Sequence, residues 1–293
     1  MKFKGPTWID RSIMDGLDHI DGNLWIHPPQ LEVLLKEPPG SKSVVVLTEP
    51  RATYDTGYTF VEEHSEKFHT ILTFDTKILT TAPNSRLLLF GTTFLDKKEV
   101  ENLKKSFFPK TALVSFICGS KNIIVGQRIR QAVYKRQMLL ESFAGFPLTF
   151  WRSGQGHLLE SACDRGNPIL PPQCSAKINV HLPFRFSIVI ENSQQDNYFT
   201  EKIIDCFLCK TVPIYWGCPN IAEFFSTKGI LMLSGSEADV VKQLKQTLPK
   251  CTHELYQTMS SAIEENYLKA FEYAFNYSDR IKKELHEIFI NDV

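Results

Sequence analysis

The chain has 293 residues, 43 % of them hydrophobic, and its 33 basic and 33 acidic side chains cancel. That length suits one large domain or two of about 150 residues, with enough apolar material for real cores. The charge balance and the lack of any Lys/Arg-rich arm exclude an obvious nucleic-acid binder, and no run approaches the roughly 20 apolar residues of a membrane span.

The N-terminus lacks the apolar core of a signal peptide, and seven cysteines without framework spacing read as reduced thiols of a cytoplasmic protein. Residues 1–40 carry five prolines and read as irregular, pinned by Trp8 and Trp25. Asp15, Asp18 and Asp21 read as a solvated turn, and no DxD motif occurs anywhere. Ser43 to Leu47 is a β-branched apolar run, hence a strand, with Glu49 just past its end. A short helix is expected over 58–68, with strands over Thr70 to Phe74 and Arg86 to Phe90. Residues 96–106 are charged and surface-like. A strand over Ala112 to Ile117 and a helix over Gly126 to Ser142 follow. Leu148 to Trp151 reads as a strand, Ser153 to Gly156 as a glycine loop, and 160–182 as loop-rich. A strand over Ile230 to Leu233, a helix over 236–247 and a helical tail over 254–290 complete the chain. Alternation of strands and helices predicts parallel, doubly wound sheets.

Residues 184–225 carry the densest pattern. Phe186 to Ile190 is a buried parallel strand, Thr200 an N-cap, Glu201 the start of a helix to about Cys209, and Val212 to Trp216 the next strand, stopped by Gly217. This βαβ unit gathers Glu191, Asn192 and Ser193, then Thr200, Glu201 and Lys202, where strand ends meet a helix N-terminus. Open α/β sheets bind phosphates there. Cys206 and Cys209 lie mid-helix with no second pair, so they read as buried apolar side chains rather than a zinc or redox motif.

The pieces E-N-S, Y-x-T-E-K and P-I-Y-W-G, in that order, resemble the donor-binding signature of the α-1,3/1,4-fucosyltransferases, glycosyltransferase family 10. The resemblance implies an α/β fold of GT-B architecture, two Rossmann-like domains facing across a cleft. On this chain they would be an acceptor domain over 1–145 and a nucleotide-sugar donor domain over 146–275. A helix over 276–293 would pack back towards the first. It implies an enzyme that moves L-fucose from GDP-fucose onto a glycan hydroxyl with inversion, without a metal or other cofactor; without the membrane anchor and stem of the family's Golgi members, the chain reads as a soluble bacterial- or viral-type member or as a trimmed one. By the same match, Asn192, Tyr198 and Glu201 become donor contacts. Arg-Gln-Ala-Val-Tyr at 130–134 is similar to the family's Arg-x-Ala-x-Tyr, which points to Arg130, although Arg128 would serve nearly as well.

The chemistry of these side chains fits such a transfer. Lys202 and the helix N-terminal amides supply positive potential for a departing diphosphate, and Arg130 offers a bidentate fork. Glu201 would accept hydrogen bonds from ribose or sugar hydroxyls. An inverting displacement needs a carboxylate base on the acceptor side, which the resemblance implies comes from the first domain. Glu49 is the candidate, with Glu62, Glu63 and Asp75 as competitors and His64, His69 and His157 as bland alternatives. Tyr215 and Trp216 read as core and wall. The strand–helix–strand plan is shared with exostosin-type enzymes, so a UDP-sugar transferase such as a xylosyltransferase stays open, as does an inactive glycan-binding relative.

Overall fold

In the computed structural model the described residues are 1–4, 11–26, 42–95, 97–104, 108–153, 169–170, 178–274 and 277–289. Eleven strands among them form two sheets, all of whose pairings are parallel. The expected parallel α/β plan is therefore the observed one. Trp8, His157, the glycine loop at 153–156 and most of 160–182 fall on or beside positions outside the described residues.

The first sheet has the order β1-β2-β3-β4-β5, from β1 (Lys2–Lys4), β2 (Asn23–Ile26), β3 (Val44–Val46), β4 (Thr70–Thr73) and β5 (Ser85–Leu87). Residues 1–40 are thus not irregular throughout: they contribute two strands. The prolines and the shortness of both strands masked the pattern, yet Leu24, Trp25 and Ile26 are buried like any core strand. Helix α1 (Arg51–Glu63) begins seven residues before the sequence suggested, directly after Pro50, whose fixed φ of −71° suits the position preceding a helix. Asp75 caps α2 (Thr76–Thr81) by accepting from the Ile78 amide at 2.9 Å.

The second sheet has the order β11-β10-β9-β6-β7-β8. Its strands are β6 (Ala112–Cys118), β7 (Thr149–Ser153), β8 (Ile169–Leu170), β9 (Phe184–Ile190), β10 (Val212–Trp216) and β11 (Leu231–Met232). The charged stretch after residue 96 is a helix, α3 (Lys97–Leu103). The single helix expected over 126–142 is two, α4 (Val125–Lys135) and α5 (Gln137–Ala144), because Arg136 leaves helical geometry at φ −105°, ψ 19°. Then come α6 (Ile178–His181), α7 (Glu201–Leu208) and α8 (Glu237–Thr247), and the tail resolves into α9 (His253–Thr258), α10 (Ser260–Ala274) and α11 (Tyr277–Phe289). Pro213 is accommodated in β10 because β11 pairs only with Ile214 and Tyr215, so Pro213 lies where the strand has one full neighbour.

The chain divides into two units that do not follow the sequence in order. One comprises Met1–Phe90, Gln195–Tyr198 and Asn276–Val293; the other comprises Gly91–Gln194 and Phe199–Phe275. The boundary anticipated at 145/146 is therefore corrected to follow Phe90. The physical reason is strand pairing: β6 lies between β9 and β7, so the segment after Phe90 belongs to the second sheet. The final helix does join the first unit, where Ile281, Leu285, Ile288 and Phe289 pack with Ile13, Leu17, Leu24 and Val46. In the second unit one face of the sheet is buried by Ile129, Val133, Leu140, Val240 and Leu244 from α4, α5 and α8.

Lys110 ties the start of the second sheet together. Its ammonium donates to the Cys209 carbonyl at 2.6 Å and the Thr211 hydroxyl at 2.9 Å, and Thr211 in turn donates to the His181 carbonyl at 2.8 Å. Hydrogen bonds involving a charged group contribute about 1.5–3 kcal/mol. Lys110→Met should lower stability by about that amount, seen as a lower urea midpoint with an unchanged denaturant slope.

Candidate functional site

The chain leaves β6 for β7 and β8 on one side, and later leaves β9 for β10 and β11 on the other. The β6–β9 pair is therefore the switch point of the second sheet, and in open α/β sheets the crevice beyond the carboxyl ends of such strands takes the ligand. A cavity of about 260 Å³ lies there. Ile117 and Gly119 come from the end of β6 and Ile190 from the end of β9. Arg130 comes from α4, and Glu201, Lys202 and Asp205 from α7.

Two helices present their N-termini to this place. Gly126, in the first turn of α4, donates its amide to the Asn192 carbonyl at 3.0 Å. A Cβ at Gly126 would collide with the carbonyl oxygens of Glu191 and Asn192, so only glycine lets α4 approach the end of β9 this closely. Arg130, one turn on, donates to the Ile190 carbonyl at 2.6 Å and to the Asn192 side chain at 3.0 Å. Arg128, by contrast, points its guanidinium at the Ile123 carbonyl on the exposed side.

The first turn of α7 is held from beneath. Thr200 caps it, accepting from the Lys202 amide at 3.4 Å. Thr200 donates its own amide and hydroxyl to the Glu191 carboxylate, at 2.9 and 2.8 Å. Glu191 is 0 % exposed. The Lys202 ammonium stands 2.9 Å from the Glu201 carboxylate, 3.1 Å from the Thr200 hydroxyl and 3.6 Å from the Glu191 carboxylate. Burial pushes the Glu191 carboxyl up from its ordinary range, opposed by the charge of Lys202. Burial pulls the Lys202 ammonium down, but the two carboxylates outweigh it and the net direction is upward. Gly217 is required as well, since a Cβ there would strike the Tyr215 ring and hydroxyl and sit 2.6 Å from the Glu191 Cγ.

The structure thus brings Arg130, Asn192, Glu201 and Lys202 together. Tyr198 and Glu49 belong to the first unit. Tyr198 is 1 % exposed, its ring 5.2 Å from that of Phe74. Glu49 is half-buried in the turn between β3 and α1, where its carbonyl accepts from the Tyr58 hydroxyl at 2.6 Å. Of its competitors, Asp75 and Glu62 are ion-paired with Arg51, Asp75 at 2.7 Å, Glu62 also reaches Lys77 at 2.7 Å, and Glu63 is exposed. Tyr215 and Trp216 are buried wall residues, as expected, and Cys206 and Cys209 are buried thiols that form no disulfide. Cys206 lies 3.4 Å from the His181 ring nitrogen, and burial holds its thiol well above the ordinary range, so it is no nucleophile. Among the described residues no group of three or more His, Cys, Asp or Glu side chains is placed to hold a metal ion, and no helix is long and apolar enough to cross a membrane. Glu191 is the residue whose part the sequence did not reveal: it stood in the E-N-S piece, but only the fold shows that its carboxylate turns back under Thr200.

With this geometry in view, the fold is that of GT-B glycosyltransferases. A crystal structure of an α1,3-fucosyltransferase with GDP aligns with a TM-score of 0.54 at 17 % identity, covering 100 % of this chain and 91 % of that one. An α,α-trehalose-phosphate synthase (UDP-forming) from Burkholderia xenovorans, in complex with glucose-6-phosphate, aligns with a TM-score of 0.61 at 8 % identity, covering 92 % and 73 %. In sequence, the chain resembles the α-(1,3)-fucosyltransferase FucT of Helicobacter pylori, 44 % identical over 48 residues. That match spans 16 % of this chain and only 10 % of the relative. No protein-family model matches the chain.

The close approach at Gly126 can be tested directly. Gly126→Ala should push α4 off the end of β9, lowering the melting temperature and displacing Arg130. Gly119→Ala, whose Cβ would meet nothing within 4 Å, should leave the melting temperature unchanged.

Proposed function

We propose that this chain is a glycosyltransferase that moves L-fucose from GDP-fucose onto a glycan hydroxyl, with inversion and without a metal. The observation that carries the reading is the placement of Arg130 and Lys202, together with the amides of α7, around one cavity at the sheet's switch point. These groups match what a leaving nucleotide diphosphate requires: fixed positive potential in a partly dry site, supplied without reorganisation. Helix α7 has eight residues and its first turn is rigidly capped, so its amides keep their direction. The partial sequence likeness to a fucosyltransferase supports GDP-fucose over other donors.

In this mechanism Arg130 and Lys202 bind the diphosphate and offset the charge that grows on it as the glycosidic bond breaks. Asn192 is oriented by Arg130, and Glu201 accepts from hydroxyls of the donor. Glu49, from the first unit, removes the proton of the acceptor hydroxyl as that oxygen attacks from the opposite face. We assign acceptor binding to the first unit and donor binding to the second. The UDP-sugar alternative has one observation in its favour, the structural likeness to a UDP-forming synthase.

Thermal shift separates the two donors. A ligand at 100 times its Kd stabilises the folded state by about 2.7 kcal/mol. GDP and GDP-fucose should raise the melting temperature and UDP and its sugars should not; the reverse pattern would assign the site to a UDP-sugar. Chelators should leave turnover unchanged.

Separate variants divide the roles. Glu49→Gln should lower transfer by 10²-fold or more, the scale of a general base, while the GDP-induced thermal shift persists. Glu201→Gln should reduce both transfer and the shift produced by GDP-fucose. Wild-type rates in either variant would remove that residue from the mechanism.

A further inference from the structure

We infer that Glu191 is a positioning residue of this site and that it takes up a proton as the nucleotide diphosphate binds. The inference rests on the nucleotide reading above and deepens it.

The geometry begins with confinement. Glu191 directly follows β9 at the switch point, and its amide donates to the Trp216 carbonyl at 2.9 Å. Its carboxylate is fully shielded from solvent. Among the described residues, the donors that reach it are the amide and hydroxyl of Thr200, and the cation paired with it is Lys202, at 3.6 Å. By holding Thr200, Glu191 fixes the first turn of α7 and so the direction of its amides. By facing Lys202, it fixes where the ammonium waits.

The charge count then decides what binding must do. From α7, Glu191 is faced by Lys202 and Glu201. From β10 it is faced by the Tyr215 phenol, which burial keeps neutral. From α4, Arg130 adds its charge to the field around Lys202. Asp205, further along the cavity, is occupied by the Thr93 hydroxyl at 2.5 Å and the Phe94 amide at 3.2 Å. Three carboxylates, Glu191, Glu201 and Asp205, thus face two cations, Lys202 and Arg130, before any ligand arrives. A nucleotide diphosphate brings at least two further negative charges into the same cavity and draws on both cations. Glu201 lines the cavity mouth and retains solvent contact; Glu191 has none. A buried carboxylate that loses its counter-charge is neutralised by a proton more cheaply than it stays ionised. Protonation keeps one oxygen as an acceptor for Thr200, so the helix turn survives the change. The sign follows from linkage: the bound state holds more protons, so nucleotide affinity weakens as pH rises through the range where Glu191 titrates in the complex.

The test is calorimetric titration of GDP, and in parallel UDP, into the full chain at pH 7 in two buffers of different ionisation enthalpy. The wild type should take up more protons per nucleotide than Glu191→Gln, by a fraction approaching about one. Glu191→Gln keeps an acceptor for Thr200, so it should still bind. Difference infrared spectra of the wild type should show, on nucleotide addition, the carbonyl stretch of a newly protonated carboxylic acid. That measurement stands even where the variant does not fold. Equal proton counts in the two proteins, or binding without the infrared band, would overturn the role of Glu191 alone. Binding of neither nucleotide would overturn the donor-site reading and this inference with it.

Discussion

One buried carboxylate organises the site. Glu191 sits where β9 ends, cannot reach water, and must therefore be satisfied by protein groups. It finds them in Thr200, nine residues on, and that closure brings the first turn of α7 back onto the strand it follows. Lys202 is then set beside two carboxylates, and Arg130 is set by the Ile190 carbonyl and the Asn192 side chain, on either side of Glu191. The tight packing at Gly126 and Gly217 serves the same closure, since side chains at either position would press on Glu191. The proposed function needs this arrangement more than it needs any single cation.

The βαβ core of the site was legible because its signals are local. β9 and β10 are short apolar runs, Thr200 is a strong cap, and the strand-to-helix junction concentrates polar residues. Lys202 follows from that pattern, while Arg130, Asn192 and Glu201 follow from the family resemblance, and the fold gathers the four. What stayed hidden depends on pairing at a distance. Whether the strand at Ala112–Cys118 joins the earlier or the later sheet is decided by its neighbours, β9 and β7, not by its composition. The domain boundary was therefore misplaced. The same holds for Glu191, a plain loop acid in sequence, and for β1 and β2, which are too short to show alternation.

Local rules also set the limits for helices. Arg136 carries no breaker signature, yet the chain leaves helical geometry there and splits one apolar period into two helices. Conversely, Pro50 is a signal that reads either as loop or as helix start, and only the observed α1 decides. Tyr198 is a case where motif membership and surroundings differ. It stands in the signature, while its ring packs on Phe74 within the first unit, and Asn197 and Gln195 bond there to the Phe74 carbonyl and to Asp75.

The make-up of the first unit has a consequence for biosynthesis. Its first strands are synthesised ahead of the second unit, yet the core that buries Ile13, Leu17 and Leu24 is closed by Ile281, Leu285 and Ile288, more than 250 residues later. The second unit, nearly continuous from Gly91 to Phe275, holds all of its own strands well before that. Vectorial synthesis therefore favours an inverted order of maturation, the later-encoded unit first. During the interval the nascent N-terminal strands carry uncovered apolar faces, which makes them the segment most dependent on chaperone cover.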